Sequence, residues 1–213
     1  MLHNLNFNLF LIRHGQTEVN ARGNEVGQTR ESPLTELGKK QAQALRARFD
    51  KDGIKFDRVF SSNYIRAYET ARLALPKYLV YQYEELREYN AGDWLGGKRE
   101  DIFIEAIELR MERLNNTFQP PNGESMNQVE RRASKWLEDE ILYNKALIQP
   151  DMDIPLNIAV FSHGMTIKCL LHYIMGFDKN FTWKINIDNT SVTKLSFNHR
   201  GWFLNSINDC SHL

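Results

Sequence analysis

The stretch that decides the fold is residues 9–15, which read Leu-Phe-Leu-Ile-Arg-His-Gly. Four consecutive apolar residues are typical of a strand buried on both faces of a parallel sheet, and we predict such a strand over 7–12. The apolar run ends abruptly in Arg13 and His14. A second stretch repeats this arrangement, because residues 158–164 read Ile-Ala-Val-Phe-Ser-His-Gly.

Helix and strand patterns alternate after the first of these stretches. Apolar residues at helical spacing predict one helix over about 34–49, with Thr35 as its N-cap, and another over about 63–75, capped by Ser62. Shorter apolar runs predict two further strands, at 59–60 and 79–83. The order β-α-β-α-β indicates a parallel sheet with crossover helices.

The middle of the chain departs from this alternation. Apolar spacing predicts an amphipathic helix from Phe103 to Phe118, and Pro120-Pro-Asn-Gly123 interrupts it. A capping-box pattern at Ser125 then opens a second helix that reaches Ile141. Two helices without an intervening strand indicate a small helical excursion over approximately 97–143.

The C-terminal part alternates between apolar and polar residues. This pattern predicts antiparallel edge strands around 183–187, 193–197 and 202–204. We therefore expect an α/β fold, a three-layer α/β/α sandwich with a mostly parallel central sheet, an antiparallel edge and the helical excursion. The length suits a single domain over 1–213.

Composition argues against several classes of partner. The chain has 27 basic and 27 acidic residues, so the basic surplus typical of nucleic-acid or anionic-membrane binding is absent. No stretch approaches the roughly 20 apolar residues of a membrane helix. The two cysteines, Cys169 and Cys210, form no C-x-x-C pair. We expect a soluble, cytoplasmic protein. The sequence carries no signal for an oligomeric state.

Polar side chains follow the strands where the strands end. Ligands of open α/β sheets bind at the carboxyl ends of the strands, so we expect His14 and His163 to face one crevice. A third strand end leads into a helix whose first turn carries Arg66. Arginine forks and helix N-termini both suit phosphate oxygens. With Arg13, these residues predict an anion pocket that uses neither a metal nor another cofactor.

Each of these residues has a plainer interpretation when taken singly. A histidine at a strand end is usually a hydrogen-bonded core or rim residue, Arg66 alone would be a surface cation, and Ser61-Ser62 would be a helix cap. Their joint placement at strand ends favours the anion site.

The sequence also resembles a known family. Arg13-His-Gly-Gln-Thr17 followed by Asn20 resembles the opening signature of the histidine phosphatase, or phosphoglycerate mutase-like, superfamily. Further family-like segments occur in the expected order: 32–38 with Gln41-Ala42, Ser61-Ser62 through Arg66-Ala67 and Thr70-Ala71, 86–88 with 92–94 and Gly96, 122–125, and 162–164. Together they span roughly residues 9 to 170.

The resemblance implies a role for each matched residue. His14 would attack phosphorus and become a phosphohistidine, so its imidazole must be neutral, with its other nitrogen donating to an acceptor that the sequence does not identify. Glu88 would protonate the leaving alcohol and then deprotonate water. The phosphate would be held by five groups: Arg13, Asn20, Arg66, His163 and the backbone around Gly164.

The choice of Glu88 as the acid rests on its spacing to the Gly92-Asp-Trp94 segment, because Glu84 and Glu85 lie close by. One departure is visible, since the family commonly has Glu after this tryptophan and this chain has Leu95. We interpret the change as affecting local support of the loop and not the acid itself.

Three functions fit these residues. A metal-independent phosphatase of the histidine acid phosphatase type would pass the phosphoryl group to water, whereas a cofactor-dependent phosphoglycerate mutase would pass it to another hydroxyl. Resemblance implies that mutases carry a basic, proline-rich lid between acid and second histidine, and 88–163 shows no obvious one, which favours hydrolysis. The third function is a phosphate-binding regulatory module, which has no need for an acid beside a nucleophile.

Other chemistries lack their motifs. There is no G-x-S-x-G elbow around Ser162 and no H-E-x-x-H zinc spacing. The remaining histidines have no identifiable partner and are expected to be structural or to lie on the surface: His3, His172, His199 and His212.

We expect the molecule that binds this site to be a small phosphorylated metabolite, such as a sugar phosphate, a phosphorylated amino acid or a nucleotide-like ester. Specificity is expected from three regions: the loop 21–31, the excursion 97–118 and a rim near Tyr89 and Trp94.

Overall fold

The central sheet has six strands. In this computed structural model, which describes residues 5–27, 29–147, 154–178 and 181–213, their order is β3-β2-β4-β1-β5-β6. The bounds are β1 Phe7–Arg13, β2 Arg58–Ser62, β3 Val80–Tyr83, β4 Leu156–Ser162, β5 Val192–Asn198 and β6 Gly201–Asp209. The first four are mutually parallel, and β5 and β6 are antiparallel at one edge. This confirms the predicted architecture, a mostly parallel sheet with an antiparallel edge.

Helices cover both faces of the sheet. Leu9 and Leu11 of β1 belong to a core shared with two C-terminal helices, whereas Phe10 and Ile12 belong to a core shared with two N-terminal helices. The α-helices are α1 Glu18–Arg22, α2 Glu36–Lys51, α3 Ile65–Ala74, α4 Arg99–Ile102, α5 Glu105–Leu114, α6 Met126–Leu137, α7 Gly164–Met175 and α8 Phe181–Lys184. Successive side chains of a strand point to opposite faces, so a wholly apolar strand requires this three-layer arrangement.

Two of the three predicted caps are confirmed. Thr35 accepts the N–H of Gly38 at 3.0 Å, and Ser125 forms a reciprocal capping box with Gln128. The cap at Ser62 is wrong, because α3 begins at Ile65 without a side-chain cap. The Ser62 hydroxyl instead lies 2.9 Å from the imidazole of His163.

The excursion helix is shorter than predicted. α5 ends at Leu114, and Asn115 has a positive φ of 46° that stops it. Phe103 and Phe118 both lie outside α5 and pack against Trp94, at ring-centroid distances of 5.9 and 5.5 Å. Their apolar character therefore reflects contact with a loop and not the face of a helix.

The strand predicted around 183–187 is also wrong. Phe181–Lys184 is a short helix, and the segment that follows is not paired with the sheet. Ile185 and Ile187 are buried in the core beside α7, and the carbonyl of Ile187 accepts a hydrogen bond from Arg13. The β5–β6 hairpin, which turns between Asn198 and Gly201, is confirmed.

The segment between the excursion and β4 is described only in part. It contains a short 3-10 turn, Lys145–Leu147, and residues 148–153 lie outside the described residues, as does His3. Within the described ranges, no helix combines the length and apolar character needed to cross a membrane.

Candidate active site

His14 lies at the end of β1 and is buried, with 1% of its surface exposed. Its Nδ1 is 2.7 Å from the carbonyl oxygen of Gly15, which can only accept, so Nδ1 carries the proton and donates. Its Nε2 lies 3.2 Å from Nε of Arg66, which can only donate. The imidazole is therefore held neutral, and its Nε2 lone pair accepts the N–H of Arg66. Gly15 is the acceptor that the sequence did not identify.

The loop after β1 is held tightly against α2 and α3. The N–H of Gly15 donates to Oγ1 of Thr70 at 2.9 Å. A Cβ on Gly15 would lie 2.6 Å from the carbonyl oxygen of Gly38, and a Cβ on Gly38 would lie 2.2 Å from that of Gln16. Only glycine permits this approach, which brings the His14 backbone close to both helices.

Two guanidinium groups flank His14, that of the fully buried Arg66 and that of the half-buried Arg13. Arg66 has no exposed surface; its Nη1 donates to the carbonyl of Thr29 at 2.8 Å, and its Nη2 is buried without a partner among the described residues. Arg13 donates through Nη1 to Ile187, and its buried Nε has no partner there either. Burial lowers the pKa of Arg66 to about 10, with the charge of Glu88 opposing the shift, so Arg66 remains a cation at neutral pH.

His163 follows β4 and faces His14, with ring centroids 5.2 Å apart. The hydroxyl of Ser62 accepts the N–H of Tyr64 and lies 2.9 Å from Nε2 of His163. We assign the shared proton to Ser62, which places the proton of the neutral ring on Nδ1. That Nδ1 is buried without a partner among the described residues. His163 therefore presents a third unsatisfied donor.

Glu88 lies at the N-terminus of α7. Its carboxylate accepts the backbone N–H groups of Tyr89 at 2.9 Å and of Met165 and Thr166 at 3.3 Å. Glu84, by contrast, forms a surface ion pair with Arg87. Of the acidic candidates near 84–88, Glu88 is the one that lines the adjacent cavity.

Asn20 and Gly164 complete the set of predicted site residues. Oδ1 of Asn20 accepts the N–H of Thr17 and Nδ2 of Asn189, both at 3.2 Å, which leaves the amide nitrogen of Asn20 as its donor. A Cβ on Gly164 would lie 3.7 Å from Nε of Arg13, so the first turn of α7 adjoins that guanidinium. The structure thus gathers all the predicted residues around one crevice.

A cavity of about 250 Å³ opens beside this crevice. Its lining residues are Val19, Asn20, Gly23, Glu25, Gly27, Glu88 and Arg99. The loop 21–31 and the start of the excursion therefore both line this cavity. Tyr89 and Trp94 are not among the lining residues, because Tyr89 packs beside α6 and α7 and Trp94 stacks on Phe118.

Leu95, which stands where the family commonly has Glu, supports the cavity loop. A Cβ on Gly27 would lie 2.8 Å from Cδ1 of Leu95, so the two residues are in close contact. An apolar contact between Leu95 and the loop therefore occupies this position.

Several residues that support the site have no distinguishing sequence pattern. Nδ2 of Asn189 donates to the carbonyl of His14 at 2.9 Å, and the N–H of Thr190 is 3.2 Å from the same oxygen. Ser62 and Thr70 orient His163 and Gly15 respectively. Serine, threonine and asparagine are common in caps and turns, so nothing in the pattern distinguishes these from ordinary loop residues.

Two of the remaining histidines have partners that the sequence did not reveal. Nδ1 of His172 lies 2.5 Å from Glu130, and Nε2 of His212 lies 3.1 Å from Oγ1 of Thr190. His199 is exposed in the β5–β6 turn. All three lie outside the crevice.

The burial of His14 predicts how it ionises. Burial, reinforced by Arg66 and Arg13, holds the pKa of His14 well below its usual range, and the same causes act on the pKa of His163. A depressed imidazole pKa means that the neutral form persists as the pH falls. In the ligand-free protein we expect both rings to stay neutral at pH 5.5, whereas an imidazole in a model peptide protonates near 6.5.

Nitrogen-15 NMR of the imidazole rings between pH 7.5 and 5 measures this directly. His14 should appear as the Nδ1–H tautomer throughout, with its signals assigned by their loss in His14→Gln. A midpoint near pH 6.5 for His14 would contradict the geometry described above.

The family model for the histidine phosphatase superfamily (branch 1) matches residues 9–210. The chain belongs to this superfamily. Among its relatives is a probable phosphoglycerate mutase, GpmB, from Yersinia pestis strain Pestoides F. The two are 29% identical over 214 residues, which cover 96% of this chain and 94% of the relative.

Solved structures of superfamily members share the fold. A mycobacterial hydrolase matches with a TM-score of 0.82 and 28% identity, covering 96% of this chain and 99% of the other. A phosphoserine phosphatase variant from Entamoeba histolytica, in complex with phosphoserine, matches with a TM-score of 0.80 and 27% identity, covering 97% and 99%. A mycobacterial glucosyl-3-phosphoglycerate phosphatase complexed with VO3 matches with a TM-score of 0.80 and 29% identity, covering 95% and 98%.

Proposed function

We propose that the chain is a phosphomonoester hydrolase that forms a phosphohistidine on His14. The observation that carries this proposal is that three buried nitrogens at the crevice find no partner among the described residues: Nε of Arg13, Nη2 of Arg66 and Nδ1 of His163. Unsatisfied buried donors are costly, and two of these belong to cations. A phosphoryl group, with its oxygens, would satisfy all three and balance the charge.

The first half-reaction transfers the phosphoryl group to the enzyme. When the ester binds, Nε of Arg66 donates to a phosphoryl oxygen and no longer to His14 Nε2. The freed lone pair of Nε2 attacks phosphorus, and the bond from phosphorus to the leaving oxygen breaks. Glu88, in its protonated form, gives its proton to that oxygen, so an alcohol departs. The non-bridging oxygens accept hydrogen bonds from the two arginines and His163, which stabilise the transition state. Asn20 and the backbone at Gly164 contribute further donors.

The second half-reaction returns the enzyme to its starting state. Glu88, now a carboxylate, takes a proton from water while the water oxygen attacks phosphorus. The bond to Nε2 breaks, inorganic phosphate leaves and His14 regains its lone pair. In this scheme the two arginines supply the positive charge, so we propose a metal-independent reaction without a cofactor.

Small phosphorylated metabolites are the proposed substrates. The solved relatives include complexes with phosphoserine and with 3-phosphoglyceric acid, both of E. histolytica phosphoserine phosphatase. The cavity of about 250 Å³ suits a leaving group of this size class and has polar lining residues such as Glu25 and Arg99.

A phosphoglycerate mutase is the second candidate, because curated relatives carry that name. Phosphate release from 4-nitrophenyl phosphate and from a panel of phosphomonoesters, with and without 2,3-bisphosphoglycerate, separates the two. Hydrolysis predicts stoichiometric phosphate release that does not require the bisphosphate. Isomerisation of phosphoglycerate with negligible phosphate release would replace our proposal with the mutase. Binding of phosphate esters without any turnover would instead support the third function, a phosphate-binding regulatory module.

A further inference from the structure

Arg132, on α6, grips the backbone of the segment that carries Glu88. Its Nη1 donates to the carbonyls of Glu85 at 2.5 Å and Arg87 at 2.8 Å. Its Nη2 donates to the carbonyl of Glu88 itself at 3.1 Å. One guanidinium therefore holds three carbonyl oxygens within four consecutive residues.

Glu124 pairs with Arg132 and also binds the backbone just after Glu88. Its carboxylate accepts two hydrogen bonds from Arg132, at 2.9 and 3.1 Å, and also accepts the N–H of Asn90 at 3.0 Å. Both side chains of the pair are about three-quarters or more buried. A bidentate, largely buried arginine–carboxylate pair is more rigid than an exposed one. The segment 85–90 is thus fixed on both sides of Glu88.

The position of Glu88 depends on this backbone. Among the described residues, its carboxylate has hydrogen bonds only from backbone N–H groups, those of Tyr89, Met165 and Thr166. No side-chain hydrogen bond orients it within that part of the chain. A shift of the segment therefore moves the carboxylate away from the first turn of α7.

We propose that Arg132, paired with Glu124, is a positioning residue that sets the carboxyl of Glu88 at the leaving oxygen. The inference rests on the proposed function. Proton transfer matters most when the leaving group is a poor one, and correct placement of a general acid contributes about 10²–10⁴-fold. Substitution of Arg132 should therefore lower kcat/KM more for esters with basic leaving groups than for esters with activated leaving groups.

The test uses aryl phosphates that range from 4-nitrophenyl to 4-methylphenyl, with the full-length variants Arg132→Met and Glu88→Gln and their combination. We expect Arg132→Met to lose about 3-fold in kcat/KM on the 4-nitrophenyl ester and about 30-fold on the 4-methylphenyl ester. The larger loss corresponds to a part of the rate enhancement that a general acid provides. In the Glu88→Gln background the same substitution should cost less than about 2-fold on either ester. Arg131→Met, on the adjacent exposed position of α6, is the matched control.

Several outcomes would overturn the inference. Equal losses for all esters, or the same loss in both backgrounds, would mean that Arg132 only supports the fold. No loss at all would also overturn it. If Arg132→Met does not fold, Glu124→Gln, which keeps the shape of the pair, takes its place with the same expected pattern. If His14→Gln were active, the proposed function itself would be refuted. If His14→Gln were inactive and Arg132→Met had wild-type activity, only the inference about Arg132 would be refuted.

Discussion

The His14→Gln variant is expected to lose about 10⁴-fold or more in kcat/KM for any phosphomonoester that the wild type hydrolyses, as is usual when a nucleophile is removed. Glutamine approximates the length of histidine and keeps polar atoms in the pocket, but it has no nucleophilic nitrogen lone pair. The buried donors of Arg13, Arg66 and His163 remain, so the variant should still bind phosphate or vanadate. Steady-state kinetics and ligand-dependent thermal unfolding measure the two effects.

His199→Gln is the matched control, because His199 is exposed in the β5–β6 turn, outside the crevice. It should retain wild-type turnover. Residual activity in His14→Gln within about 100-fold of wild type would mean that another group attacks phosphorus or that water attacks it directly.

Arg66→Met should lower kcat/KM by about 10²–10³-fold, because a preformed charge beside the phosphoryl oxygens is lost. The same variant should unfold at an unchanged or higher temperature. Arg66 is wholly buried, and the downward shift of its pKa to about 10 reflects the cost of burying its charge. Methionine fills similar volume without that cost, so function and stability should move in opposite directions.

Arg72→Met tests the same substitution at an exposed position of α3 and should change neither quantity appreciably. Thermal unfolding with and without inorganic phosphate adds a second readout. Phosphate should stabilise the wild type and stabilise Arg66→Met much less. If Arg66→Met lost activity only in proportion to lost folded protein, the electrostatic role of Arg66 would be wrong.

The strand ends could be predicted because their sequence pattern is local. A wholly apolar run such as 9–12 can only be a buried strand or a buried helix segment, and the polar residues that follow it mark the edge of the sheet. The same logic placed His163 after β4. The parallel pairing of β1 with β4, in register from Phe7 to Arg13, then brings the two histidines together.

Predictions failed where distant contacts decide the local structure. Residues 183–187 alternate like a strand, yet Ile185 and Ile187 are buried against the core beside α7 and the chain does not join the sheet. Phe103 and Phe118 have helical spacing, yet both pack on Trp94. Periodicity reports which residues are apolar and not which neighbour will cover them.

The supporting residues of the site show the same limit. The sequence pattern predicts Ser62 as a helix cap, whereas its hydroxyl hydrogen-bonds to His163, which lies 101 residues away in the chain. The hydrogen bonds from Arg132 to the carbonyls of Glu85 and Glu88 join residues that are 47 and 44 positions apart in the chain. Such pairings depend on how α6 and β4 meet in space, so a single sequence contains no pattern that reveals them.

In the proposed mechanism, His14 carries the phosphoryl group during turnover. The most direct measurement is rapid acid-free quenching of the enzyme with a ³²P-labelled ester, followed by peptide mapping. We predict an acid-labile, base-stable label on the peptide that contains His14, absent from His14→Gln and present in His199→Gln. Phosphate release at the wild-type rate without any label on His14, or with the label on another residue, would rule out a phosphohistidine on His14.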